Sequence, residues 1–255
     1  MTQSSTQLAT HDDSSRRDKI VSYAKRFGIT LAPGALDFIV GGAPGVLLSS
    51  VLSTILQDFD ERSLSAREDE RVKKVVIIGA NKFMSNVSSQ RRATDYSQED
   101  AQEAIEGILA AARHENEQRK VRYFGNLLGN LGFHPELNHR TCSYLIKLAE
   151  MVSYRQLVLL EVFSVDELRK LLPNKDYRKK GNIPWDVISD MHEVKELYEI
   201  GLLGMPGDTM LGLTDVNPGK MVTNGHGRML TILMELHDLP QTDIQDVIMV
   251  LSREV

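Results

Sequence analysis

Between Leu31 and Leu56 (LAPGALDFIVGGAPGVLLSSVLSTIL) the chain carries one charged side chain, Asp37. Water penalises so much contiguous apolar surface, so whatever covers this run decides what the rest can fold into. Phe38 to Leu56 supplies 19 uncharged residues, close to the ~20 that a helix needs to cross a bilayer. The centre, Gly41-Gly42-Ala43-Pro44-Gly45, breaks it. Pro44 removes a helical hydrogen bond and the flanking glycines weaken the same turn, leaving halves too short to cross alone. Lys19, Lys25 and Arg26 lie upstream, against Arg62, Arg67, Arg71, Lys73 and Lys74 downstream, an excess that would hold the downstream body on the cytoplasmic side.

Two dispositions follow. In one, residues 31–56 form a helical hairpin buried at the centre of a bundle or between copies of the chain. In the other they enter a membrane conditionally, with Gly41-xxx-Gly45 allowing close helix approach. Either way the contact residues are Phe38, Ile39, Val40, Gly41, Gly45, Val46, Leu47, Leu48, Val51, Leu52, Ile55 and Leu56.

The remainder reads as amphipathic helix. At 255 residues, 42% hydrophobic and 25% charged, the chain suits one large or two small globular domains. Net charge is −5 and only 6% of residues are aromatic, which disfavours phosphate binding and base stacking. One cysteine, Cys142, cannot form an internal disulfide, and the first thirty residues lack a signal-peptide core. Cytoplasmic residence follows, with the apolar run able to bring the chain to the inner membrane.

Residues 1–13 read as a disordered tail, followed by a helical domain over 14–142 and a second module over 143–255. Ser14 or Ser15 caps a short helix to Phe27. Ser65-x-x-Glu68 is a capping box for an amphipathic helix ending near Ser88. The longest helix is expected from Gln98 to Leu131, with Ala101, Ala104, Ile105, Ile108, Ala112, Tyr123, Leu127 and Leu131 as its buried stripe. Continued helix through the polar stretch 114–120 places Glu115 and Arg119 on the inward side as an acid–base pair between helices. Pro135 suits the first position of a following helix that buries Leu137, Tyr144, Leu145, Leu148 and Met151. Leu157, Leu160 and Phe163 follow inward, and Ser164-x-x-Glu167 is a cap signal for a short helix that Pro173 terminates.

After the exposed basic loop 174–184 comes a helix from Trp185 to Ile200, with Ile188, Met191, Val194 and Tyr198 inward. Thr209–Leu213 and Lys220–Thr223 read as strands around a turn. Met229 to Leu236 forms one more helix, and Thr242 caps the last, which turns Ile244, Val247, Ile248 and Leu251 inward. The fold class is thus mainly α: a helical bundle with an apolar, Gly/Pro-broken N-terminal hairpin and a C-terminal winged-helix-like module over about 143–238. Winged helices often bind DNA. Residues 143–255, however, hold 12 Lys and Arg against 17 Asp and Glu, a net charge of −5, and the Trp185–Ile200 helix is acidic. Protein partners, or a second copy of the chain, suit it better than DNA.

No phosphate-cradling glycine loop, nucleophile signature or paired zinc-ligand spacing is present, so neither a cofactor, a metal nor an enzymatic activity is expected. His134, His139, His192 and His226 suit surface or capping roles, and Cys142 a buried thiol. The basic Arg91-Arg92-Ala93-Thr94 sequence matches a phosphorylation context that recurs by chance.

The succession of Glu115 to Leu128 (ENEQRKVRYFGNLL), His134-Pro135, YRQLVLLEVF, LYEIGLLG, a wing and the Gly227 helix resembles the Abi-alpha family of bacterial abortive-infection proteins, over residues 100–240. The likeness is one of pattern and carries no catalytic residues. It implies antiviral defence or a related accessory role; the apolar run lies outside the likeness and adds its own expectation, action through oligomerisation and conditional membrane association of residues 35–56. The alternative is a soluble adaptor with that segment in its core. A third reading, a DNA-binding regulator, would rest on Arg178, Lys179 and Lys180.

Overall fold

In the computed structural model, residues 65–91, 97–175, 177–179 and 182–253 are described, with positions 17, 18, 21, 22, 24, 25, 30, 31 and 35. Phe38 to Leu56 and the tail 1–13 lie outside the described residues, as does most of the short helix expected to end at Phe27. The described chain is mainly helical, with nine α-helices and one two-stranded sheet. It divides into two units, Met1–Glu150 and Met151–Val255.

In the first unit, α1 (Ala66–Ser88) opens on the expected capping box. Ser65 Oγ accepts the Glu68 N–H and Glu68 Oε2 accepts the Ser65 N–H, satisfying two of the donors a helix start leaves unpaired. Val72, Val75, Val76, Gly79, Ala80 and Phe83 are buried as their spacing requires, while Val87 is exposed.

The single helix expected over 98–131 is two: α2 (Gln98–His114) and α3 (Val121–Leu131). Every residue of the expected stripe is buried all the same. The break has a local cause. Glu115 leaves the helix with ψ 125°, and its Oε1 accepts the N–H of Glu117 at 2.8 Å. A side chain that takes a nearby backbone donor in this way competes with helical continuation. Arg71 closes the end of α2, donating through Nε and Nη2 to the Arg113 carbonyl.

Of the eleven residues of α3 (VRYFGNLLGNL), ten are buried, Asn126 and Asn130 among them. Gly125 and Gly129 let it approach α1 closely. A Cβ on Gly129 would stand 2.6 Å from the Gly79 carbonyl oxygen, and one on Gly125 would stand 2.5 Å from Ile78 Cβ. The unit ends in α4 (His139–Met151), which starts at His139 and not at Pro135. Asn138 Oδ1 accepts the Thr141 N–H, and Pro135 sits in the turn before. Leu145 and Leu148 are buried as expected, with Leu137 just ahead of the helix, but Tyr144 and Met151 are exposed.

In the second unit, α5 (Tyr154–Ser164) is central, and nine of its residues are buried. Ser153 and Gln156 form its capping box. The short α6 (Asp166–Arg169) has no side-chain cap, because the Ser164 hydroxyl donates to the Glu161 carbonyl instead. Tyr177, expected in an exposed loop, is buried. Then come α7 (Trp185–Glu199), α8 (Gly225–Met234) and α9 (Gln241–Ser252). Thr242 lies within the first turn of α9, behind Pro240, and does not cap it. Ile244, Val247 and Leu251 are buried there, and Ile248 is only half-buried.

The inward face of α7 is Val187, Asp190, Met191, Val194 and Leu197. It is turned from the expected stripe, leaving Ile188 and Tyr198 half-buried. The strands also differ from expectation. β1 (Leu203–Gly204) pairs antiparallel with β2 (Val222–Thr223). Thr209–Leu213 forms no strand, and Leu213–Asp215 and Pro218–Lys220 are 3-10 turns between the two strands.

Candidate interaction surface

Of the residues marked out by sequence, the apolar contact set Phe38 to Leu56 lies outside the described residues. Glu115 is present, and Lys120 Nζ lies 2.7 Å from its Oε2. Arg119 is exposed. The Lys120 side chain is 2% exposed and its Nζ also donates to the Glu150 carbonyl at 2.9 Å, 5.3 Å from the Phe124 ring centroid. This ammonium has an ion pair, a carbonyl and an aromatic face about it, the condition for burying a charge. Its role is to anchor the start of α3.

A second polar network in the first unit had no sequence signal beyond its histidine. Asn86 Nδ2 donates to the Gly129 carbonyl and to Asn130 Oδ1, and Asn86 Oδ1 accepts from Arg91 Nη1 at 2.9 Å. Arg91 Nη2 lies 3.1 Å from His134 Nε2, and His134 Nδ1 lies 2.8 Å from Glu136 Oε1. The hydrogen bond from His134 holds the Glu136 carboxyl below its ordinary range. Arg91, the first residue of the candidate phosphorylation sequence, therefore has its guanidinium engaged internally. His139 lies 3.0 Å from Glu103. Among the described residues no group of histidine, cysteine and carboxylate side chains is placed to hold a metal.

In the second unit, each of the five carboxylates of α7 has a partner within the unit. Asp186 pairs with Arg253 at 2.5 Å and Asp190 with Arg155. Glu193 accepts from the Ser153 hydroxyl, Glu196 from Gln156 Nε2, and Glu199 pairs with Lys195. Arg155 grips Asp190 with two nitrogens, Nε at 2.9 Å and Nη2 at 2.5 Å, and reaches Asp246 on α9 with Nη1 at 2.6 Å. Tyr154 donates to Asp243 at 2.6 Å. Burial pushes the Asp190 carboxyl above its usual range, with the Arg155 hydrogen bonds opposing. Burial likewise raises Glu161. Asp190, Glu193 and Glu196 thus tie α7 to the start of α5, and Asp186 ties it to the residue that follows α9.

Three large apolar side chains on these and the neighbouring segments stay in water. Trp185 is 84% exposed at the start of α7, Leu171 59% and Met249 58%. Two bonds bring the backbones that carry them together. The Ser252 hydroxyl donates to the Leu171 carbonyl, and Arg253, one turn beyond Met249 on the same face of α9, holds Asp186 beside Trp185. Lys175 donates to the Arg253 carbonyl, and Lys170 is exposed next to Leu171. These bonds tie together the segments that carry the three exposed apolar side chains. A solvated tryptophan with aliphatic neighbours is the composition of an interface centre.

Among the described residues no helix is long and apolar enough to cross a membrane. Comparison of the chain with protein-family models, with curated proteins and with solved structures finds no match.

Proposed function

We propose that this chain is a self-associating helical protein of the abortive-infection type, and that its second unit is a winged-helix-like module directed at protein. In that reading α5 to α7 are the module's helices, α7 stands in the recognition position, and the segment between β1 and β2 is the wing. The observation that carries the proposal is the exposure of Trp185, Leu171 and Met249, large apolar groups held in water on segments bonded to one another, which we read as one patch. Two features weigh against DNA: the carboxylates of α7, and the excess of 17 acidic over 12 basic residues across 143–255. Affinity for phosphate requires the opposite charge. A second copy of the chain is the partner. The Asp186–Arg253 pair brings both signs to the patch edge, so a copy related by a two-fold axis meets it with matching charges.

Size-exclusion chromatography with light scattering tests this. The intact chain should run as a dimer or larger, and Trp185→Ser, at a site already solvated, should run as a monomer with unchanged circular dichroism. A monomeric parent at high concentration overturns the proposal.

A second reading is favoured by the uncharged run Phe38 to Leu56: the oligomer presents residues 35–56 to a membrane, and defence follows from leakage. Vesicles of anionic lipid should leak with the intact chain and not with Leu47→Asp, Leu48→Asp. Equal leakage, or none from either, removes this reading and leaves a soluble adaptor.

A further inference from the structure

We propose that His134 is an acid-sensitive latch on the C-terminal cap of α1. The cap is a Schellman motif: the Gln90 N–H donates to the Val87 carbonyl at 3.0 Å and the Arg91 N–H to the Asn86 carbonyl at 3.1 Å. It requires a left-handed residue, a place glycine usually takes. Here Gln90 fills it, with φ 55°, an unfavourable backbone for a residue with a Cβ. What holds the turn is the next side chain. The Arg91 guanidinium donates to Asn86 Oδ1 at 2.9 Å, meets His134 Nε2 at 3.1 Å and lies 5.9 Å from the Phe133 ring centroid. Phe133 in turn packs on Phe83 of α1, with ring centroids 4.9 Å apart.

A guanidinium has donors only, so His134 Nε2 must accept and the ring proton must sit on Nδ1, donating to Glu136. The imidazole in this arrangement is neutral. A proton added at Nε2 removes the acceptor that Arg91 uses and sets two cations face to face. The charged groups that face the ring among the described residues are Arg91, from the end of α1, and Glu136, from the turn before α4. Asn86 of α1 and Asn130 of α3 complete the network and are neutral. Glu136 can keep its hydrogen bond with the imidazolium, so the contact that gives way is Arg91. The left-handed turn then loses one of the side-chain contacts that restrain it, and the end of α1 opens.

Nitrogen-15 spectroscopy of the histidine rings, with amide exchange read at Gln90 and Arg91 on the intact chain, tests this. His134 should show the Nδ1–H tautomer while neutral. As it titrates, protection of the two amides should fall by about tenfold, the factor for losing one hydrogen bond to a charged group. His134→Gln, whose Oε1 can accept from Arg91 at any pH, should keep that protection in acid. The Nε2–H tautomer, or protection indifferent to His134 protonation, overturns the latch. The tautomer measurement needs no variant, so it decides the matter even if His134→Gln fails to fold.

Discussion

The two units each build around one short helix buried on nearly all sides, and they hold it by opposite means. In the first unit α3 has no side-chain cap. It gains its place by close approach to α1, glycine against backbone, with Lys120 as a single buried anchor. In the second unit α5 has a full capping box, and a polar first turn, Tyr154, Arg155 and Gln156, tied to Asp243, Asp190, Asp246 and Glu196. Shape positions one helix and directional bonds the other. A core held by shape responds to added volume, whereas one held by ion pairs responds to a missing partner.

The largest effect is expected in the second unit. Arg155→Met leaves Asp190 buried beside no counter-charge and should lower the unfolding free energy by about 3 kcal/mol. Adding Asp190→Leu should recover most of it. Urea titration of the three proteins checks both steps, and a double variant no better than the single one would mean that the ion pair does more than offset its own burial. In the first unit Gly129→Ala should cost about 2 kcal/mol by overpacking. Gly107→Ala is the control: its new Cβ would meet Ile146 at 3.6 Å, an ordinary contact, and it should be neutral or stabilise α2 by up to about 1 kcal/mol. Equal losses at the two glycines would break the contrast.

Gln90→Gly should raise stability by about 1 kcal/mol, because it relieves the left-handed cap of α1. The smallest effect concerns charge at the start of that helix. Hydrogen bonds from Ser65, then from Arg113, hold the Glu68 carboxyl at about 2, against 4.5 in a free side chain. A depressed carboxyl contributes its stabilisation above the unfolded value and loses it as pH falls toward the folded one. Glu68→Gln keeps the capping geometry without the charge. The melting-temperature gap between parent and variant should be constant above pH 4.5 and close as pH approaches 2.

Periodicity and caps carried much of this architecture in the sequence. Ser65-x-x-Glu68 and the stripe from Ala101 to Leu131 stand where their spacing puts them. What escaped was whatever rests on a side chain acting against type. The break at Glu115 comes from a carboxylate that takes a backbone donor, in a stretch whose composition suits continuous helix. The register of α7 is shifted because an acid, Asp190, occupies an inward position that a search for apolar stripes passes over. The ribbon slid to Leu203–Gly204 because two-residue strands have no alternation to read. The Trp185 patch and the Arg91–His134–Glu136 network unite segments far apart in sequence, and no local pattern joins them.

The claim that the second unit associates through this patch is tested most directly by Trp185 itself, the one tryptophan in the chain. Its fluorescence, followed from dilute to concentrated protein, should move from the long-wavelength emission of a solvated indole to a shorter wavelength, in step with a rise in scattered mass. Emission that stays at the solvated position while the mass rises, or a mass that never rises, would contradict the account.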